Sequence, residues 1–130
     1  MKAIDTNILV RWITRDDPVQ SPVADRILSD PVFVTLTVLV ELAWTLGGKP
    51  YRFGRAEVAA ALRLVLATRT ITVQREDGLD WAIARFAAGA DIADMLHLVA
   101  SRGADGFVSF ERRLADLAGP DTPIAIERPS

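Results

Sequence analysis

A chain of 130 residues, half of them hydrophobic and a quarter charged, has the balance of one globular domain rather than of a disordered segment. The absence of cysteine excludes disulfides and thiolate metal sites, and no apolar run approaches the roughly 18 residues that cross a bilayer. A net charge of −2 argues against broad electrostatic adhesion to nucleic acid, but a local basic surface is possible, because all fifteen basic residues except Lys2 and Lys49 are Arg. No signal segment is visible, so the cytoplasm is the expected compartment.

In chain order, Met1-Lys2-Ala3-Ile4 reads as a very short strand that breaks at Asp5-Thr6-Asn7 and feeds a helix over Ile8–Ile13. Thr14-Arg15-Asp16-Asp17-Pro18 is a polar break, with Pro18 expected in the first turn of a second helix to about Ser29. That helix is expected to turn Val23, Ile27 and Leu28 inward. Val32-Phe33-Val34 is a short buried strand, and Thr35 is a favoured cap for a helix to about Leu46. Gly47-Gly48-Lys49-Pro50 breaks it, and an Ala- and Leu-rich helix follows from about Arg55 to Ala67. Thr70–Val73 is a strand by its β-branched content. Helices over Asp77–Ala88 and Asp91–Ser101 come next, with Gly89 between them. Phe107-Val108-Ser109 is expected as a buried strand, Glu111–Leu117 as a short helix and Ile124–Ile126 as the last strand. Strands alternating with helices imply right-handed crossovers and a mainly parallel sheet between helical layers.

Four acids stand out. In open α/β sheets, ligands gather beyond the carboxyl ends of the strands, where Asp5 falls; Asp5 is equally placed to cap the first helix. Glu41 lies in Leu36-Thr37-Val38-Leu39-Val40-Glu41-Leu42-Ala43-Trp44, otherwise a core helix. A buried carboxylate needs a partner, which is either an Arg or a metal. In Asp91-Ile92-Ala93-Asp94, Asp91 suits the helix cap and Asp94, in the first turn, is the better ligand candidate. Glu111 follows a strand and suits either a ligand or a solvated acid at a helix start. Oxygen-rich, cysteine-free, His-poor acid sets suit Mg²⁺ or Mn²⁺. The single His97 carries no assigned chemistry. Gly47-Gly48-Lys49 lacks the spacing of a phosphate-binding loop, and no serine sits in a nucleophile elbow.

Taken in order, these residues resemble a PIN-domain ribonuclease, specifically the toxin half of a VapBC-type toxin–antitoxin pair. The resemblance covers nearly the whole chain. It is carried by Asp5-Thr6-Asn7 after the first strand, by Glu41 in an apolar helix, and by Gly89-Ala90-Asp91-Ile92-Ala93-Asp94-Met95-Leu96. Ser109-Phe110-Glu111 stands where the family usually has Thr-Phe-Asp, so the fourth acid is one methylene longer than usual.

The resemblance implies a single PIN domain over residues 1–130, with a three-layer α/β/α fold around a short, mainly parallel central sheet. It implies an endoribonuclease dependent on Mg²⁺, with Mn²⁺ as an alternative. Asp5, Glu41 and Asp94 are the implied metal ligands, and Glu111 is the fourth catalytic acid. Thr6, Asn7, Asp91 and Ser109 support them. The implied partners are an RNA substrate, a small antitoxin protein and a second copy of the chain, with no membrane. Val38, Leu39, Leu42 and Leu46 exceed what one core face needs, which points to a subunit contact on that helix. Arg11, Arg52, Arg55 and Arg112 are weaker candidates for RNA contact, and the tip Pro50–Arg55 suits either base stacking or a packed helix-hairpin turn. A housekeeping RNA-processing nuclease and a non-catalytic PIN-like binding module are the competing readings. An antitoxin gene beside this one separates the first of these from a toxin.

Overall fold

The computed structural model describes residues Met1–Ser130, which fall into two compact units, Met1–Glu76 and Asp77–Ser130. The first unit runs β1 (Lys2–Ala3), α1 (Thr6–Thr14), α2 (Gln20–Leu28), β2 (Val32–Val34), α3 (Leu36–Gly47), α4 (Arg55–Ala67) and β3 (Ile71–Val73). Its sheet has the order β1-β2-β3, and both pairings are parallel. Lys2 pairs with Val32, Phe33 with Thr72 and Val34 with Val73. All three strands therefore run the same way, and the segments that follow them, Asp5, Thr35 and Gln74, gather at one end. Gln74 ties that end together, because its side-chain oxygen accepts the Leu36 N–H at 3.1 Å while its own N–H donates to the Val34 carbonyl at 2.9 Å.

Local chemistry sets the helix limits. Thr35 caps α3 by accepting the Val38 N–H at 3.3 Å. Arg15 ends α1 in the left-handed region at φ 55°, and its N–H closes on the Arg11 carbonyl. Pro18 lies in the turn ahead of α2 rather than in its first turn: Asp17 Oδ1 accepts the Val19 and Gln20 N–H groups, and this starts the helix later than the proline suggests. The buried face of α2 is Ser21, Ala24 and Leu28, so the expectation for Val23 is overturned. Ser21 is tolerated inside because its hydroxyl donates to the Arg11 carbonyl at 2.8 Å. The core beside the sheet is built from Leu9, Leu42, Leu46, Leu62 and Val65, all but fully buried. Val38 and Leu39 are also buried, so α3 spends these side chains on its own unit and has no apolar surplus there. Trp44 is the large apolar side chain it exposes.

The second unit holds α5 (Leu79–Ala87), α6 (Ile92–Ala100), β4 (Phe107–Val108), α7 (Leu114–Ala118) and β5 (Ile126–Glu127). Helices α5 and α6 pack as a hairpin, with Leu79, Ile83 and Phe86 on one side and Met95, Leu98 and Val99 on the other all buried. β4 and β5 form a separate parallel pair, Phe107 with Ile126 and Val108 with Glu127. β4 is not a buried strand, since Val108 is 60% exposed. Five residues of α7 leave few internal bonds, and Arg85 of α5 compensates by donating from Nε to the Leu117 carbonyl at 2.7 Å. Gly119 just beyond has φ 78°, and a Cβ there would meet that guanidinium at 3.3 Å, so glycine suits the position twice over. The parallel strands are thus divided between a three-stranded and a two-stranded sheet, where the sequence suggested one.

Candidate active site

The end of β1 delivers Asp5 to the start of α1. Its Oδ1 accepts the Thr6 N–H at 2.7 Å, so Asp5 occupies the N-cap and keeps Oδ2 out of that bond. Thr6 is buried, and its hydroxyl donates to Glu41 Oε1 at 3.4 Å across α1 and α3. Asp5, Thr6 and Glu41 line one cleft of about 310 Å³, together with Asn7, Arg11, Thr45 and Tyr51. Glu41 is exposed there and has no Arg partner, which overturns the expectation of a buried carboxylate. The reason is its phase on α3: the core side is taken by Leu39, Leu42 and Leu46, and Glu41 falls with Thr37 and Thr45 on the open side.

At the rim, Arg11 donates from Nε to Gln20 Oε1 at 2.8 Å and from Nη1 to Asp16 Oδ1 at 3.1 Å and to the Tyr51 hydroxyl at 3.0 Å. The Tyr51 hydroxyl donates in turn to Asp16, as does Thr14 at 2.8 Å. These bonds hold the Asp16 carboxyl below the ordinary aspartate range, the Tyr51 bond contributing most. The Tyr51 ring also meets Phe53 edge-on at 6.4 Å, so the tip of the α3–α4 turn is a packed one. Arg52 sits in that turn at φ 55°, and Arg52 and Arg55 are both exposed. Sequence alone does not single out Thr14, Asp16 or Gln20, because polar residues in a break before a proline or at a helix start carry no sign of what their side chains will hold.

In the second unit, Asp91 caps α6 by accepting the Asp94 N–H at 3.1 Å, as its position suggested. Asp94 sits half-buried in the first turn. Its carboxyl is pushed up from 3.8 by burial, then by the charge of Asp91 and, less, of Glu111, against an opposing pull from His97. Glu111 turns back on its own backbone: Oε1 accepts the Arg113 N–H at 3.1 Å, and the Glu111 N–H donates to Ser109 Oγ at 3.0 Å. α7 therefore starts at Leu114, after this turn, and Arg112 lies exposed within it. The raised carboxyl has a stability consequence. A carboxyl that holds its proton more tightly in the fold than in the open chain stabilises the fold fully below pH 3.8, and that contribution is lost as pH rises through the folded value. Asp94→Asn is therefore expected to melt above the wild type at pH 7, the gap closing as the pH falls below 3.8. Thermal melts of both proteins at the two pH values check this; an equal gap at both would remove the charge explanation.

The donors of the first-unit cleft are carboxylate and hydroxyl oxygens, which suits a hard cation such as Mg²⁺ or Mn²⁺. Neither unit by itself brings three His, Cys, Asp or Glu side chains together around a metal-sized space. Two carboxylates fit Mg²⁺ nonetheless, because that ion keeps several waters and is commonly bound through one or two carboxylates plus phosphate.

The sequence model of the PIN domain matches residues 2–120, a span that takes in both units. No curated protein and no solved structure matches the chain. The mixed α/β architecture, with seven helices and short parallel strands, is the one expected of that family.

Proposed function

The chain belongs to the PIN-domain family, whose members are generally metal-dependent nucleases, and we propose from that premise that it is a Mg²⁺- or Mn²⁺-dependent endoribonuclease acting as the toxin of a toxin–antitoxin pair. The observation that carries the nuclease reading is the cleft at the end of β1, where Asp5, Thr6 and Glu41 present oxygen donors together. Asp5, Glu41 and Asp94 are the proposed metal ligands, and Glu111 is the proposed fourth acid. A divalent ion bound by such acids supplies Lewis acidity toward phosphorus-bound oxygen and makes water a better nucleophile. The residues themselves restrain and orient. Thr6 limits the swing of Glu41 through its hydroxyl, and α1 fixes Asp5 through its first N–H. Asn7 is exposed at the cleft mouth, within reach of an entering strand. Ser109 sets the backbone of Glu111, and Asp91 sets that of Asp94.

The proposed toxin role, antitoxin partner and single-domain description of the whole chain rest on the sequence resemblance, and the proposed cytoplasmic setting rests on the lack of a visible signal segment. No helix is long and apolar enough to cross a membrane. Homodimerisation also rests on the resemblance, with Trp44, 61% exposed on α3, as its apolar contribution in place of the buried leucines.

Purified protein is expected to cleave single-stranded RNA internally with Mg²⁺ or Mn²⁺ and to stop when the metal is chelated. Full activity in excess chelator removes the metal reading, and no cleavage of any RNA under either condition removes the nuclease reading. Growth arrest on expression, relieved by the product of a small neighbouring gene, distinguishes a toxin from a housekeeping nuclease.

A further inference from the structure

Arg11 is the only basic side chain lining the cleft that holds Asp5 and Glu41. A phosphodiester is an anion, and two carboxylates repel it, so a cation at that rim matters to any strand that enters. Four segments converge to hold this guanidinium. Arg11 comes from α1, Asp16 from the turn after it, Gln20 from the first turn of α2 and Tyr51 from the α3–α4 turn. Together they engage Nε and Nη1, and neither N–H of Nη2 makes a hydrogen bond. The side chain is 30% exposed, so solvent and solutes reach it. The pairing also runs away from the cleft acids: Arg11 bonds Asp16 rather than Asp5 or Glu41, which leaves their oxygens available.

Resting on the RNA reading of the cleft, we propose that Arg11 binds a phosphate of the RNA strand through Nη2, and that Asp16, Gln20 and Tyr51 are positioning residues that hold the guanidinium ready. A planar fork fixed on one side has lost most of its rotamer freedom before the ligand arrives, so little further ordering is needed on binding. The Tyr51 hydroxyl has a double part, accepting from Arg11 and donating to Asp16, so it keeps the cation and its counter-ion in register.

The test is binding of a fluorescent single-stranded oligoribonucleotide in chelator, which separates affinity from cleavage, repeated over a range of salt. Arg11→Gln is expected to weaken binding about tenfold, the scale of one charge-assisted phosphate contact. It should also flatten the slope of log affinity against log salt by about 0.7, the value of one phosphate on a single strand. Arg11→Lys keeps the charge but not the fork, so the slope returns while affinity recovers only in part. Tyr51→Phe keeps the ring and the charge count; affinity is expected to fall about threefold, on the scale of one neutral hydrogen bond, with the slope unchanged. A merely structural role moves the melting temperature and leaves the salt slope alone. Unchanged affinity and slope in Arg11→Gln overturn the proposal. Should that variant not fold, wild-type affinity in both Arg11→Lys and Tyr51→Phe overturns it equally. If the wild type cleaves RNA and Arg11→Gln binds it normally, only the Arg11 assignment fails. If the wild type neither binds nor cleaves RNA, the function reading fails and this one with it.

Discussion

Glu41→Gln is expected to lower RNA cleavage by at least about a hundredfold, because supporting residues around a metal already cost about 10- to 100-fold when changed and a direct ligand costs more. The same variant is expected to melt within about 2 °C of the wild type, as exposed substitutions usually stay within about 0.5 kcal/mol. Both halves follow from where Glu41 sits. It is exposed, its one hydrogen bond is a long 3.4 Å contact from Thr6, and no Arg pairs with it. Gln preserves the shape and can still accept from Thr6, so the fold loses little, while a neutral amide is a poor ligand for Mg²⁺. Turnover of a labelled RNA and a thermal melt, run on the same preparation, check the two halves separately. A large fall in melting temperature would make Glu41 a structural partner, and retained cleavage would remove it from the chemistry.

Leu46→Ala is expected to destabilise the protein by about 2–5 kcal/mol, the range for emptying a fully buried leucine site. Leu46 has no exposed surface, and it lies in a core with Leu9, Leu42, Leu62 and Val65. The loss combines the apolar transfer term with a cavity that its neighbours fill only partly. Denaturant melts at two protein concentrations a factor of ten apart are the measurement. Equal losses at both locate Leu46 in the core of its own chain. A loss that shrinks with increasing concentration would place it at a subunit contact instead, since association stabilises by mass action.

Much of the architecture was legible because it depends on local signals. Thr35, Asp91 and the Gly47–Pro50 break mark helix ends through capping and backbone chemistry, and α4 runs over the residues that its Ala- and Leu-rich composition marks out. β2 and β3 are short β-branched runs between such breaks. The fold departs from these signals where a second local signal competes with the first, or where packing from elsewhere in the chain intervenes. Pro18 was a sound helix starter until Asp17 took the Val19 and Gln20 N–H groups. The α3 sequence is richer in apolar residues than one face needs, and α1 and α4 pack on it where those residues are buried. Phe107-Val108 has strand composition, and composition alone carries no information about whether a strand is covered.

The identity of the candidate acids was readable from the sequence by itself, because an acid in an apolar helix or directly after a short strand is conspicuous against its surroundings. So were the helix and strand order, the oxygen-rich donor chemistry and the family resemblance. The tertiary structure decided which way each acid faces and what holds it. The phase of α3 sets Glu41 in the open, and a threonine 35 residues away in the chain becomes its hydrogen-bond partner. Arg11 acquires a fixed position only when Asp16, Gln20 and Tyr51 arrive from separate segments. The physical reason is range: capping and periodicity act within one or two turns, whereas burial and side-chain pairing depend on which segments the folded chain places side by side.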